Sequence, residues 1–376
     1  MLWVGLMSGT SADAIDAALV QLASSARELS LLAFTSIELP ENLRKRIHAL
    51  VQTPVLVRDL VELDVELGER FATAVLAVLS AGGVAPEQVA GIGSHGQTVG
   101  HFPEPEVRGS LQLGAPAVIH ARTGIPVIAD FRPADLAAGG QGAPLTAFFH
   151  HAYFALEGER RAVLNIGGFT NVTYLAGSSL DQVIAFDPGP GNALLDRAVR
   201  WATNGAARFD RDGERAQRGT ADLKVVAELL ADPYFATPPP KSTGHEHFGP
   251  AFFERARAGV EGHGGTPDDL LATLMHVTVE SVAQQAERFF PERPQRWIVY
   301  GGGVSNRALL EALRARLAPA PVELTDAHGI PADALEAVSF AVLGWCASRG
   351  QPCNLPAATG AGQRVVLGAR TPPGGS

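Results

Sequence analysis

The stretch Gly5-Leu6-Met7-Ser8-Gly9-Thr10-Ser11-Ala12-Asp13-Ala14-Ile15-Asp16 decides how the chain begins to fold. An apolar strand breaks into a Ser-Gly-Thr-Ser turn and is followed by a second apolar strand from Ile15. Glycine lets the backbone N–H groups of such a turn approach an anion, and the hydroxyl groups add donors. The carboxylates of Asp13 and Asp16 follow the turn, where carboxylates can hold the waters of a Mg²⁺ ion. Taken alone, the turn is more typical of an ordinary hairpin.

Two later segments repeat the plan of an apolar strand followed by a small, polar turn. Residues 162–175 place Gly167-Gly168 between two apolar strands. Residues 297–306 place Gly301-Gly302-Gly303 between a strand and the helical spacing of residues 307–313. This order resembles that of the actin/hexokinase-like phosphotransferases, in which each lobe supplies one phosphate loop and the glycine-rich turn of the second lobe binds the adenosine. We therefore predict an α/β, two-lobed actin/hexokinase-like (ribonuclease H-like) fold with a central active-site cleft.

Length, charge and cysteine content narrow the class of protein. A chain of 376 residues is too long for one compact core and predicts two domains. A net charge of −9 without a basic run argues against nucleic acid or an anionic membrane as a partner. The N-terminus is typical of a core strand rather than a signal peptide, and no apolar run approaches the ~20 residues of a membrane span. Cys346 and Cys353 are typical of plain thiols, so we expect a soluble cytoplasmic protein.

The alternation of strands and helices predicts where the two lobes meet in the sequence. The apolar residues 126–129 close the first set of strands, and a second α/β unit begins near Arg161. We expect a first lobe at residues 1–130 with the first phosphate loop. We expect a second lobe at residues 131–370 with the second loop and the adenosine-binding turn. The last helix is expected to return to the first lobe.

Further motifs resemble those of one enzyme family. They are Ser-His-Gly-Gln-Thr-Val at 94–99, Asp-Phe-Arg-Pro-Ala-Asp-Leu-Ala-Ala-Gly-Gly-Gln-Gly-Ala-Pro-Leu at 130–145, Asp-Pro-Gly-Pro-Gly-Asn at 187–192 and Pro-Lys-Ser-Thr-Gly at 240–244. Together with the three turns, they make the chain similar to bacterial anhydro-N-acetylmuramic acid kinases over nearly its whole length. The resemblance implies conversion of 1,6-anhydro-N-acetylmuramic acid to N-acetylmuramic acid 6-phosphate, with ATP and Mg²⁺, in recycling of cell-wall peptidoglycan. It also implies a homodimer.

The resemblance also implies which residues bind the nucleotide and the sugar. The predicted nucleotide-binding residues are Gly9, Thr10, Ser11, Ala12, Asp13, Ala14, Ile15, Asp16, Gly167, Gly168, Gly301, Gly302 and Gly303. The predicted sugar-binding residues are His95, Gln97, Asp130, Arg132 and Glu336. We predict no metal bound directly by side chains, because the scattered histidines lack ligand partners at the spacing of a zinc site.

The predicted chemistry requires a base, because opening the anhydro ring needs a water at C1 and a group that takes its proton. Asp187 follows the apolar residues 183–186 and precedes a Gly-Pro-Gly turn, and the resemblance implies that it is the base toward the attacking water. An aspartate at this position is equally typical of a residue that organises the turn or caps a helix beginning near Ala193.

The predicted sugar-binding residues have structural interpretations as well. Asp130, Arg132 and Asp135 cluster at a strand end, where ligands of α/β proteins collect. Arg132 is predicted to make a forked contact with a lactyl carboxylate, and its alternative is a local ion pair. A lone histidine such as His95 is more often structural, and Glu336 is equally suited to the N-terminal dipole of a helix.

Five positions depart from the family pattern, and two other functions fit the same fold. The departures are Ala14, Gly100, Ala115, Pro188 and His245, where the family commonly has Gly, Trp, an acidic residue, Thr and Arg. They affect the packing of the sugar rather than the reaction class. The alternatives are a kinase of the same fold for another sugar or a carboxylate, and a nucleotide-driven conformational ATPase that needs no sugar.

Overall fold

A computed structural model of the chain describes residues 1–52, 54–104 and 106–372. These separate into two compact units, one formed by residues 1–154 with the described residues from 329 onward, the other by residues 155–328. The boundary therefore falls at residue 154 rather than near residue 130. The physical reason is that the chain after residue 130 bonds to the first unit, where buried Asp135 accepts hydrogen bonds from Asn354 Nδ2 (2.8 Å) and Thr359 Oγ1 (2.7 Å).

The described residues form twelve strands and thirteen α-helices. The strands are β1 (Leu2–Ser8), β2 (Ala14–Leu22), β3 (Leu29–Glu38), β4 (Val89–Phe102), β5 (Gly109–Leu113), β6 (Val127–Ala129), β7 (Arg160–Ile166), β8 (Phe169–Ala176), β9 (Ile184–Pro190), β10 (Arg296–Tyr300), β11 (Val322–Leu324) and β12 (Ala369–Thr371). The helices are α1 (Glu41–Gln52), α2 (Val57–Gly82), α3 (Pro116–Thr123), α4 (Phe131–Ala137), α5 (Thr146–Phe154), α6 (Asn192–Ala202), α7 (Glu214–Arg218), α8 (Leu223–Leu230), α9 (Pro250–Gly262), α10 (Pro267–Phe289), α11 (Arg307–Leu317), α12 (Leu335–Ser348) and α13 (Pro356–Thr359).

Each unit is built on one sheet, and the two sheets share a strand order. In the first unit the order is β12-β6-β4-β1-β2-β3, with β5 paired to β4. The β1-β2-β3 part is antiparallel, whereas β4 and β6 continue parallel to β1. In the second unit the order is β11-β10-β7-β8-β9, with β7-β8-β9 antiparallel and β10 and β11 parallel to β7. The repeated arrangement confirms the predicted ribonuclease H-like, actin/hexokinase-like α/β class.

Helix α12 lies directly against the first sheet because glycines occupy the contact. A Cβ on Gly5 of β1 would stand 1.8 Å from the carbonyl oxygen of Ala337, and one on Gly93 of β4 would stand 2.0 Å from that of Phe340. Helix α12 is apolar on nearly all sides and buried along most of its length, as expected of a helix enclosed by other elements. The sheet residues opposite α12 must therefore be glycines for the first unit to close.

The second unit packs its long helix α10 against the sheet. Thr266 caps α10, and its side chain is bonded reciprocally with Asp269, which is the capping-box arrangement. At the end of α10, the ring of Phe290 stacks on Tyr174 of β8 with 4.6 Å between ring centroids. No α-helix in the described ranges is long and apolar enough to cross a lipid bilayer.

The Gly5→Ala variant tests the contact between α12 and β1. The added methyl group would overlap backbone atoms, which cannot move aside as a side chain can, so we expect the free energy of unfolding to fall by about 1–3 kcal/mol. Thermal melting followed by circular dichroism measures the change. Gly262→Ala is the matched control, because no described atom outside its own helix backbone and chain neighbours lies within 4 Å of a Cβ there. An unchanged melting temperature for Gly5→Ala would contradict this packing.

Candidate functional site

The turn between β1 and β2 is the first predicted phosphate loop. Its backbone reverses at Ala12, whose φ of 52° lies in the left-handed region, and the Ala12 N–H donates to the Gly9 carbonyl at 3.0 Å. The side chains of Thr10 and Ser11 are exposed. No described atom lies within 4 Å of the position that a Cβ on Gly9 would take. The turn therefore offers the open space beside its backbone that an incoming phosphate needs.

Gln97, predicted to bind sugar, is fully buried and holds this turn in place. Its Nε2 donates to the carbonyls of Gly9 (3.1 Å) and Thr98 (3.3 Å). Its Oε1 lies 2.7 Å from the hydroxyl of Ser8, which is also 2.9 Å from the Ala14 carbonyl. Both polar atoms of the Gln97 amide have partners in the protein. The side chain of Gln97 therefore stabilises the conformation of the turn.

The two carboxylates after the turn have different surroundings. Asp13 is exposed and forms an ion pair with Arg44 at 3.3 Å. Asp16 is half-buried, and burial together with the nearby Asp333 carboxylate raises its pKa, although a hydrogen bond from Ser36 acts in the opposite direction. The side chains of Ala12 and Ile15 belong to the hydrophobic core, so only their backbone atoms are available to a ligand.

His95, Arg132 and Glu336 are brought together in the first unit. Arg132 Nη2 lies 2.7 Å from His95 Nε2 and, since a guanidinium only donates, His95 Nε2 is the acceptor. The proton of the imidazole is therefore on Nδ1, 2.9 Å from the Gly96 carbonyl. Burial and the Arg132 charge lower the pKa of His95 to about 3, so the ring is neutral at physiological pH. Burial lowers the pKa of Arg132, and the negative charge of Glu336 at the start of α12 acts in the opposite direction.

The guanidinium of Arg132 is only partly hydrogen-bonded to other described residues. Its Nη1 donates to the Gly142 carbonyl at 2.5 Å, while Nε is buried without a hydrogen-bond partner among the described residues. Nη1 and Nη2 thus each donate one of their two hydrogens to a described residue, Nη1 to Gly142 and Nη2 to His95. Burial lowers the pKa of Arg132 to about 10, which still leaves the group charged at neutral pH. A cation in this setting favours an anionic ligand group.

Asp130 lies at the end of β6 in a strained backbone conformation. Its φ of 57° is in the left-handed region, which non-glycine residues seldom adopt. Its pKa is raised by partial loss of hydration and by the Asp64 carboxylate. Strain of this kind concentrates at ligand sites. Asp135, in contrast, is fully buried and fully hydrogen-bonded, so it supports the chain rather than a ligand.

The second predicted phosphate loop, Gly167-Gly168, joins β7 to β8. The Gly167 carbonyl accepts the N–H of Asn192 at 2.9 Å, and the Gly168 carbonyl accepts those of Gly191 (2.9 Å) and Ala193 (3.0 Å). The start of α6 is thereby bonded to the loop. A Cβ on Gly191 would lie 2.4 Å from the Gly167 carbonyl oxygen, so this close approach requires glycine.

The glycines after β10 have two different roles. A Cβ on Gly301, whose φ is 88°, would lie 2.2 Å from Asn165 Oδ1, and a Cβ on Gly303 would lie 2.2 Å from Ile166 Cγ2. These two glycines therefore pack the turn against the end of β7. Gly302 is exposed, and no described atom lies within 4 Å of a Cβ there. Of the three, Gly302 offers space to a ligand.

Asp187 lies in β9, and its carboxylate is held from two sides. Asn171 Nδ2 donates to Oδ1 at 2.8 Å, and the Thr243 N–H donates to Oδ2 at 2.9 Å. Asp187 does not cap α6, because the N-cap residue of that helix is Gly191. Burial raises the pKa of Asp187 to about 6, against the effect of these two hydrogen bonds. The carboxylate is thus ionised at neutral pH and basic enough to accept a proton.

Asp187 lies at a bulge in β9. The pairing of β8 with β9 shifts register between Thr170 and Val172, so that Asp187 and Pro188 together oppose one residue of β8. Bulges re-aim side chains and are frequent beside active sites. Proline has no N–H for the ladder and is tolerated at bulges, which explains how Pro188 fits here.

Several residues at and beside Asp187 were not predicted from the sequence to belong to the site. Asn171 gives no signal in the sequence beyond its place in an apolar strand. Lys241 and Thr243 lie in a motif that supports the resemblance, but their contact with Asp187 depends on the folding of residues 240–244. His245, at a position where the family commonly has Arg, packs edge-on against Phe169 at 5.0 Å. Among the described residues, no group of three or more His, Cys, Asp or Glu could hold a metal ion.

Comparisons with known proteins agree on one family. The family model described as Anhydro-N-acetylmuramic acid kinase matches residues 1–373. The anhydro-N-acetylmuramic acid kinase of Salinibacter ruber is 43% identical over 383 residues, covering 99% of this chain and 96% of its own. That of Gloeobacter violaceus is 42% identical over 378 residues, covering 99% and 98%.

Solved structures show a more distant likeness. An activator of 2-hydroxyisocaproyl-CoA dehydratase from Clostridium difficile with bound ADPNP is 11% identical, with a TM-score of 0.46 and coverage of 93% of this chain and 96% of its own. A ROK family glucokinase from Streptomyces griseus in complex with glucose and AMPPNP is 16% identical, with a TM-score of 0.42 and coverage of 92% and 99%. Likeness of this extent carries no conclusion about this chain.

The Asn171→Ala variant tests the surroundings of Asp187. The Asn171 amide stabilises the ionised carboxylate, so its removal should raise the pKa of Asp187 further above about 6. Carboxyl ¹³C NMR of aspartate-labelled protein measures the titration, and the Asp187→Asn variant assigns the signal. A pKa that falls or stays unchanged in Asn171→Ala would contradict this hydrogen bond.

Proposed function

This chain belongs to the anhydro-N-acetylmuramic acid kinase family, and on that premise we propose that it opens the 1,6-anhydro ring of anhydro-N-acetylmuramic acid and phosphorylates O6 with ATP. The single observation that carries the proposed mechanism is the Asp187 carboxylate, which is desolvated, oriented by two donors and still ionised at neutral pH. An ordinary kinase has no use for such a base toward water, whereas ring opening at C1 requires one.

In the proposed reaction, Asp187 takes a proton from the water that attacks C1. The new bond joins the water oxygen to C1, and the bond between C1 and O6 breaks. The electron pair of that bond stays on O6, which attacks the γ-phosphorus of ATP and displaces ADP. The products are N-acetylmuramic acid 6-phosphate and ADP. Asn171 and Thr243 keep the carboxylate aimed while it changes charge.

The first unit supplies the proposed sugar contacts. Arg132 retains hydrogens for a carboxylate, which is the charged group of a muramic acid. His95 is neutral and packs on Phe340, with 4.6 Å between ring centroids, so it orients Arg132 without adding charge. Asp130 and Glu336 are the proposed acceptors for sugar hydroxyl or amide donors. Gln97 contributes through the loop that it holds.

The two glycine turns are the proposed phosphate loops, and phosphoryl transfer needs mainly positioning and neutralisation of charge. Mg²⁺ bound with ATP supplies neutralisation of the phosphate charge. Asp16 fits the hydration shell of that ion better than Asp13 does. The Asp333 carboxylate disfavours a second negative charge on Asp16, which a cation would relieve, whereas Asp13 already has Arg44 as its partner.

The family's role is recycling of cell-wall peptidoglycan, and the proposal extends it to this chain. The reaction would take place in the cytoplasm, where ATP is available. A homodimer is proposed from the family resemblance, and light scattering of the purified protein would test it.

The Asp187→Asn variant tests the proposed base. It preserves the shape of the side chain and removes its basicity, so kcat should fall by on the order of 10²–10⁴-fold. In the unchanged protein, kcat/KM should decline as the pH falls below about 6, because protonated Asp187 cannot accept a proton. Asp181→Asn, on an exposed turn before β9, is the matched control and should keep full activity. A near-normal rate with intact folding in Asp187→Asn would reject the assignment.

Reaction in ¹⁸O-labelled water tests whether ring opening and phosphorylation are coupled. The heavy oxygen should appear at C1 of the sugar product and be absent from its phosphoryl group, because the bridging oxygen comes from the original ring. Mass spectrometry of the product and of its dephosphorylated form locates the label. A panel of ordinary hexoses should release little ADP. Label on phosphorus, or steady ATP hydrolysis without sugar, would favour a conformational ATPase instead.

A further inference from the structure

Lys241 is a buried cation in the second unit. Its side chain is only 6% exposed, and Nζ donates to the Tyr234 carbonyl at 3.0 Å and to Gln285 Oε1 at 2.6 Å. Both acceptors are neutral. A buried charge costs free energy that such contacts offset only in part, so apolar packing would have been the more stable solution at this position.

Aromatic rings complete the surroundings of the ammonium group. Nζ lies 4.5 Å from the ring centroid of Tyr234, 5.1 Å from that of Phe289 and 5.8 Å from that of Phe186. Ring faces attract cations, and the attraction is larger where water is excluded. Two hydrogen bonds and three aromatic rings thus restrict the conformation of the Lys241 side chain.

The backbone of Lys241 is hydrogen-bonded to Asp187. The Asp187 N–H donates to the Lys241 carbonyl at 3.0 Å, Lys241 Nζ donates to the Tyr234 carbonyl, and the Tyr234 hydroxyl donates to the Asp187 carbonyl at 2.7 Å. These three hydrogen bonds form a closed ring. Two residues further on, the Thr243 N–H holds the Asp187 carboxylate itself at 2.9 Å.

We propose that Lys241 is a positioning residue for the reaction: its caged side chain anchors the segment 241–243, which orients the carboxylate of Asp187. This inference rests on the proposed role of Asp187 as the base. Gln285 extends the anchor into α10, because its Nε2 donates to the Phe235 carbonyl at 2.8 Å while its Oε1 accepts from Lys241. Asp187 is thus connected to the longest helix of the second unit through Lys241 and Gln285.

The charges around the pair determine how the pH profile should respond. Lys241 lowers the pKa of Asp187, whereas Glu246 raises it. Burial and the Arg288 charge lower the pKa of Lys241 to about 8, so the side chain is a cation where Asp187 titrates. Loss of the Lys241 charge should therefore raise the pKa of Asp187 and move the acidic limb of kcat/KM to higher pH.

Lys241→Met is the test, since methionine keeps the apolar stem and removes the ammonium group. We expect kcat to fall by about 10- to 100-fold, as for a displaced catalytic group, with the KM for ATP unchanged and the acidic limb at higher pH. Lys224→Met, on an exposed position of α8, is the matched control and should change neither. In an Asp187→Asn background, Lys241→Met should cause no further loss of kcat.

The outcomes separate the two assignments. An unchanged kcat and pH profile in Lys241→Met, or a loss that multiplies with that of Asp187→Asn, overturns the role of Lys241 and leaves Asp187 as the base. A near-normal rate in Asp187→Asn overturns the role of Asp187 as the base, whatever the result for Lys241→Met. If Lys241→Met does not fold, Tyr234→Phe decides, because it removes only the hydroxyl donor to the Asp187 carbonyl. It should lower kcat while leaving the acidic limb in place, because Lys241 keeps its charge, and an unchanged kcat overturns the proposal.

Discussion

The contact of α12 with β1 and β4, backbone against backbone, is the constraint on which the first unit depends. At Gly5 and Gly93 there is no room for even one methyl group. Because the helix comes this close, Phe340 reaches the ring of His95, and Glu336 enters the neighbourhood of Arg132. Side chains larger than hydrogen at Gly5 and Gly93 would hold α12 away from the sheet. Glu336 would then be separated from His95 and Arg132.

The second unit also uses glycine for close approach, at the end of β7. Gly191, Gly301 and Gly303 surround the end of β7, and a Cβ on any of them would overlap a neighbouring atom. In sequence these glycines look alike, and all invite the interpretation that a ligand needs the space. The distances show that most serve packing, whereas Gly9 and Gly302 lie beside open space. Glycine content alone therefore overstates the extent of a nucleotide site.

Local patterns in the sequence were enough for the hairpins β1–β2 and β7–β8 and for the strand–turn–helix unit at β10, because apolar periodicity and turn chemistry act over a few residues. The unit boundary at residue 154 was not predictable in this way, since it depends on bonds such as that of Asp135 with Asn354, 219 residues apart. The bulge at Asp187 was hidden for a related reason, because strand register is set by the partner strand. Gln97 was predicted from the sequence to bind sugar. Only the structure shows that its amide is hydrogen-bonded to the carbonyls of Gly9 and Thr98.

The discontinuous course of the first unit has a consequence for how the protein is made. During translation, residues 1–154 leave the ribosome before the 174 residues of the second unit, and α12 follows them. Until then the glycine face of β1 and β4 has no helix to cover it, and Asp135 lacks the amide and hydroxyl donors of residues 354 and 359. The second unit, continuous in sequence, can complete its core first, because domains fold as units during synthesis. The nascent chain therefore carries an open apolar sheet for much of its synthesis, which is the kind of surface that chaperones bind.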